Sequence, residues 1–215
     1  MPIYIPVAAF QSIRDKVRDE TLDKAGTRWT DKELDTYINQ AQLAYARRTH
    51  CLTGKVEVYF DGLNTIFQTP DNYIKATSFV NPDLIPIPLI EWKILAAKYS
   101  PRFLDDTSTQ FLYCCFDYES WNRFRFYPNP EVTAGTKLGL LTYARKPKKD
   151  VLEISNEDAL VNYSLFKSYL KERNAKYLKK AVAYRAKYTA LVPKSKSRST
   201  RTVTQQSRKR KARFF

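Results

Sequence analysis

The sequence predicts an α+β protein: an antiparallel helical bundle made from the N- and C-terminal helices, a central antiparallel β insertion, and an extended basic C-terminal tail. Three observations predict it. Apolar residues recur at three- and four-residue steps near both ends of the chain, they alternate with polar residues through the middle, and the segment from Pro193 to Phe215 carries nine Lys or Arg and no acid. The expected division is residues 1–53 for the N-terminal helices, 54–150 for the β-rich insertion, 151–192 for the helices that complete the bundle, and 193–215 for the tail.

Phe10, Ile13 and Val17 share one helical face after Pro6, which a helix tolerates only at or before its first turn. A first helix should therefore run from about Val7 to about Asp23, with Gly26 ending it. Thr30-Asp31-Lys32-Glu33 is a capping box: the Thr30 hydroxyl can accept from the Glu33 amide while the Glu33 carboxylate accepts from the Thr30 amide. Trp29 before the cap and Leu34 after it are spaced for a hydrophobic staple, and Leu34, Tyr37, Ile38, Ala41 and Tyr45 continue the stripe toward Thr49.

From Lys55 the period changes to two. Val56, Val58 and Phe60 alternate with Lys55, Glu57 and Tyr59, Asp61-Gly62 is a turn pair, and Leu63 to Gln68 can pair back, which predicts a hairpin. Tyr73 to Val80 reads as a third strand. Pro82, Pro86 and Pro88 then interrupt the chain before a short helix over Leu89 to Tyr99. Phe111 to Asp117, Arg123 to Tyr127 and Lys137 to Tyr143 read as three further strands. Ser155-Asn156-Glu157-Asp158 offers a polar cap for a helix with Leu160, Tyr163, Leu165, Phe166, Tyr169 and Leu170 on its apolar face, and a last helix follows from about Asn174 to Leu191, where Pro193 stops it. Beyond it, Ser, Thr, Gln, Lys and Arg dominate until Phe214 and Phe215. Such a composition cannot bury enough surface to fold alone, so the tail should be disordered in the free monomer and order only against a partner.

Composition narrows the function classes. The chain has 215 residues, 43% of them hydrophobic, enough for a real core. No run approaches the roughly 18 to 20 apolar residues of a membrane span, and Met1-Pro2-Ile3-Tyr4 lacks the pattern of a signal peptide, so the expectation is a protein that is soluble and cytosolic when made. The net charge is +15, of which the tail holds +9 and the body, by difference, +6. Cys51, Cys114 and Cys115 form no CxxC pair and His50 is the single histidine, which argues against a zinc site and against a disulfide scaffold. Cys114 and Cys115, neighbours on a strand, should point to opposite faces, one buried and one partly exposed.

Catalytic patterns are missing. Five glycines form no phosphate-binding loop, and Gly135-Thr136-Lys137-Leu138-Gly139 reads as a turn entering a strand. The carboxylates Asp105-Asp106, and Asp117 with Glu119, are the residue types a glycosidase needs, but their settings suit a polar loop and a solvated strand face. His50-Cys51 sits at a helix end, where packing or a solvated charge explains it better than a thiol nucleophile. The expectation is a protein that is not an enzyme and needs no cofactor or metal.

Two further stretches carry a family resemblance. Gly26-Thr27-Arg28-Trp29-Thr30-Asp31-Lys32-Glu33-Leu34 with Tyr37-Ile38-Asn39 and Ala41-Gln42, then Phe126-Tyr127-Pro128-Asn129-Pro130 with Leu141-Thr142-Tyr143-Ala144-Arg145-Lys146-Pro147, resemble the opening and the paired strands of phage head-to-tail adaptor (connector) proteins, which include tail tubular and head-completion gatekeeper rings. The helices from Asp158 to Tyr188 resemble the family's closing half; residues 81–110 fit less well. The resemblance implies a virion neck protein at the head-to-tail junction, a homo-oligomeric ring, commonly of twelve subunits, under the portal protein and around the DNA channel, with tail or nozzle proteins below. It implies that the C-terminal segment reaches into the portal: Arg198, Arg201, Arg208, Lys209, Arg210, Lys211 and Arg213 would meet acidic clefts while Phe214 and Phe215 anchor in a pocket. The rival reading is a nucleic-acid-binding protein whose basic tail neutralises phosphates; a ring around packaged DNA would also touch it non-specifically.

Overall fold

The computed structural model describes residues 7–98, 105–116, 122–172 and 174–194. After a 3₁₀ turn at Ala8–Phe10, its helices are α1 (Gln11–Thr21), α2 (Asp31–Thr49), α3 (Trp92–Lys98), α4 (Glu157–Lys171) and α5 (Ala175–Leu191). Its strands are β1 (Thr53–Tyr59), β2 (Ile66–Gln68), β3 (Tyr73–Val80), β4 (Pro86–Ile87), β5 (Leu89–Glu91), β6 (Thr107–Ser108), β7 (Tyr113–Phe116), β8 (Arg123–Tyr127), β9 (Asn129–Pro130) and β10 (Lys137–Arg145). The class is mixed α+β. Two compact units divide it, a helical one from Met1–Leu52 with Lys146–Ser195 and a β-rich one over Thr53–Arg145.

In the helical unit, Phe10, Ile13 and Val17 meet Trp29, Leu34, Ile38, Leu160, Leu165, Tyr169 and Ala181 in one core. α4 lies at its centre, with Ser164 and Ser168 fully buried on the helix, small enough to let neighbours approach closely. Arg14 and Asp35, each nearly inaccessible, form an ion pair inside this core, and Asp35 also accepts from the Val7 amide at 2.9 Å. The first helix is shorter than its periodicity predicts. It stops at Thr21, not near Asp23, because Leu22 turns left-handed at φ 57° and the Asp23 carboxylate collects the amides of Thr27, Arg28 and Trp29 at 3.0 to 3.2 Å. That loop needs Asp23 outside the helix. Leu22 is left 87% exposed as a result.

The β unit departs from expectation in three ways. There is no hairpin from β1 to β2: β1 pairs antiparallel with β10, Thr53 opposite Ala144, and β2 pairs with β8. The pairing of β1 with β10 continues past its end, with the Phe60 amide donating to the Thr136 carbonyl and the Gly135 amide to the Phe60 carbonyl, while β1 remains the edge strand of its sheet. Asp61 instead closes a local turn by accepting from the amides of Leu63 and Asn64. The predicted helix over Leu89 to Tyr99 opens as a strand, β5, and becomes helical only at Trp92. Because β5 reaches β7 by way of α3, the two run parallel; β6 and β9 also run parallel, so the insertion is not purely antiparallel.

Two larger sheets result, ordered β1-β10-β3-β4 and β2-β8-β7-β5. Between them lies an aromatic core in which Phe126 meets Phe79 at 5.0 Å and Phe111 at 4.8 Å, and Phe124 stacks on Phe67 and Phe116. Both Cys114 and Cys115 are fully buried, correcting the expected half-exposed pair. Alternation does send them to opposite faces, but the second face is covered too, by Ile90, Leu95 and Tyr127. Burial raises the Cys115 thiol to about 12, so it is an unreactive packing residue at neutral pH.

Candidate interaction surface

Trp29, Thr30, Glu33 and Leu34 organise the start of α2. The Thr30 hydroxyl accepts from the Glu33 amide at 3.3 Å and the Thr30 amide donates to Glu33 at 3.1 Å, while Trp29 and Leu34 are each 1% exposed. Lys171, the last residue of α4, pairs with Glu33 and holds its carboxyl below the ordinary range. The cap thus ties α2 to the end of α4.

From this corner a ladder of rings and cations extends along α5. The Arg28 guanidinium lies 4.6 Å from the Trp29 ring and 4.4 Å from Tyr177, and its Nε donates to Glu172 at 2.8 Å. Tyr169 of α4 stacks on Tyr177 and on Tyr184, both at 5.7 Å. Lys180 sits 5.2 Å over Tyr169 and Lys187 4.8 Å over Tyr184. The Tyr184 hydroxyl donates to Glu20 at 3.1 Å, and burial together with that carboxylate raises its pKa to about 12. Sequence periodicity places Tyr177 and Tyr184 on one stripe of α5 and allows the i,i+3 contact of Lys187 with Tyr184; it does not reveal the contact of Lys180 with Tyr169, which joins α5 to α4 across the packed interface.

Charge is concentrated on the same side of the sequence. Glu172 is the last acid in the chain. Residues 1–172 hold 22 Lys or Arg and all 22 acids, so they are neutral, and the whole net charge of +15 lies from residue 173 onward. α5 contributes Lys176, Lys179, Lys180, Arg185 and Lys187, all exposed. The end of α5 is held by Arg48 of α2, whose Nε donates to the Val192 carbonyl at 2.7 Å and whose second terminal nitrogen reaches Thr189 at 3.1 Å. The tail residues Arg198, Arg201, Arg208, Lys209, Arg210, Lys211, Arg213, Phe214 and Phe215 lie outside the described residues.

No catalytic set assembles among the described residues. Cys51 is exposed and His50 forms the left-handed C-cap of α2. Asp106 accepts from the Tyr127 hydroxyl at 3.0 Å, which makes it a structural acceptor; Asp117 and Glu119 lie outside the described residues. No group of three or more metal-ligating side chains gathers, and no helix is long and apolar enough to cross a membrane, among the described residues. An open groove of about 580 Å³, lined by Tyr37, Gln40, Lys167, Leu170, Lys171 and Leu178, contains no acid–base pair.

What the surface offers is a set of exposed cations along α5, two of them ordered by rings. The family model for the SU10 adaptor protein matches residues 8–211, and the chain belongs to that family. It is therefore a phage structural protein of the head-to-tail adaptor kind. No curated protein matches the chain.

Proposed function

We propose that this chain is one subunit of a ring seated under the portal around the DNA channel, with the segment after Pro193 docking into the portal. The observation that carries the reading is the extent of the family match: it runs to residue 211, so it takes in the basic segment as well as the folded body. The acid-free composition from residue 173 onward supplies the long-range attraction, and Phe214 and Phe215 supply apolar anchors of the kind that dominate interface energetics. Portal and tail proteins are the partners on the two sides of the ring, and twelve is the expected copy number.

A second reading is favoured by the same acid-free stretch, namely that the basic segment binds nucleic acid. Mass photometry separates the two. The full chain mixed with its cognate portal should give a stoichiometric complex that is lost on cutting after Val192, and neutralising Arg208, Lys209, Arg210, Lys211 and Arg213 should weaken it most at low salt, where the attraction is least screened. Absence of any portal complex, together with tail-dependent binding to DNA alone, would replace the ring reading with the nucleic-acid one.

A further inference from the structure

We propose that the lysine flank of α5 binds the phosphate backbone of duplex DNA, as a folded extension of the basic segment that follows it. The charge boundary is the first argument. A basic tail alone would put the change in composition at Pro193, whereas the acids end at Glu172 and the helix between carries five cations and none of the opposite sign. Helices of this length on a protein surface ordinarily interleave both signs for solubility and i,i+4 pairing. α5 forgoes both.

The arrangement of the cations is the second argument. At about 100° per residue, Lys176, Lys179, Lys180 and Lys187 fall within an arc of about 100°, while Ala181 and Tyr188 face the core and Leu178 and Val182 lie on the other flank. Lys176 and Lys187 are about 16 Å apart along the axis, enough to span several phosphates of a duplex that carries a charge every ~1.7 Å. Lys180 and Lys187 are oriented by the rings of Tyr169 and Tyr184 beneath them, so part of their ordering cost is met before binding.

The partner follows from what separates these lysines. Ala183 and Ala190 fill the flank, leaving it without the large aromatic or apolar anchor that a protein interface needs at its centre. Phosphate contacts need no such anchor, and lysine serves them as a point charge. The choice of duplex DNA among polyanions rests on the ring reading above, which places the subunit beside packaged DNA. The binding itself is measurable on the free protein.

The test uses the full chain with Lys176, Lys179, Lys180 and Lys187 all changed to Gln, titrated against a short mixed-sequence duplex by fluorescence anisotropy over a range of salt concentrations. Each lysine that contacts phosphate contributes about 0.9 to the slope of log affinity against log salt, so the slope should shrink by about 3 to 4. The Lys→Arg version of the same four positions should keep the wild-type slope. Lys176→Gln with Lys179→Gln spares both ring contacts and therefore the fold, and should by itself shrink the slope by about 2. An unchanged slope in either Gln variant overturns the proposal, as does polyglutamate competing for the flank as well as DNA does, since that marks an acidic protein surface as the partner. Portal binding measured on the same variants keeps the two readings distinguishable: a smaller slope without a portal complex sustains the flank and removes the ring.

Discussion

The buried arginine of the helical unit, Arg14, pairs with Asp35, and Arg18 and Arg28 follow with Asp31 and Glu172 at its margin. In the β unit the interior is built mainly of rings, with Phe126 within about 6 Å of Phe79, Phe111 and Phe124 and Phe124 on Phe116, and the buried guanidinium of Arg125 donates to Asn129 beside them. The difference teaches where each unit is vulnerable. The first depends on the protonation and pairing of a few groups, the second on volume and backbone clearance.

The largest expected effect tests pairing. Asp35→Ala leaves Arg14 buried without its carboxylate and should destabilise the helical unit by about 3–5 kcal/mol, whereas Arg14→Met combined with Asp35→Leu should cost far less because both charges leave together. Amide hydrogen exchange resolved by segment reads both. Equal losses for the single and double variants would mean that shape, not charge, matters at this site.

Backbone clearance decides the next. Gly139 has φ 152°, and a Cβ there would stand 2.1 Å from the Val80 carbonyl oxygen, closer than any real contact. Gly139→Ala must therefore part β10 from β3 and should cost about 2–4 kcal/mol, confined to the β unit. Accelerated exchange in α2 or α4 instead would contradict the independence of the two cores.

Acid should open the helical unit first. Hydrogen bonds from Lys171, Lys16 and Arg28 hold Glu33, Glu157 and Glu172 below the ordinary carboxylate range. Burial works to raise Asp23, but the amides of Trp29, Arg28 and Thr27 outweigh it and hold it low as well. A folded pKa below the unfolded one gives stability that is present above the usual value near 4 and is lost as pH falls through the lowered values. The lowered acids of the β unit, Glu57 and Asp61, are solvent-exposed and contribute little. Amide NMR spectra along an acid titration should lose α1, α2 and α4 before β3 and β10; the reverse order would refute this.

The smallest effect is local. Thr30→Ala removes one half of the capping box and should cost about 1 kcal/mol, read as a modest drop in the urea midpoint, with Thr30→Ser close to wild type.

These contrasts follow how far apart in sequence the decisive groups lie. The starts of α2, α4 and α5 are readable from Thr30, Asn156 and Asn174, because each cap is satisfied by an amide two or three residues away. β3 and β8 are likewise readable from the sequence, β8 from its run of aromatics and the flanking Asn122 and Pro128. The concentration of charge after Glu172 needs only counting. The interaction surface was less legible: Tyr184 lies three residues from Lys187 on the same stripe of α5, yet the ring that orients Lys180 is Tyr169, which meets it only when α4 and α5 pack.

Nonlocal contacts decided the remainder. Asp61-Gly62 is a sound turn signal, but β1 finds nine-residue β10 some eighty positions later, and a ladder along the whole of β1 outweighs a return by three-residue β2. Leu22 leaves the helix because Asp23 is needed by amides beyond it. Cys115 is buried because α3 and β5 cover a face that alternation alone would leave to solvent. Caps, periodicity and charge are properties of neighbouring residues and stand written in the chain; strand partners and two-sided burial are properties of segments that meet only after the chain has folded.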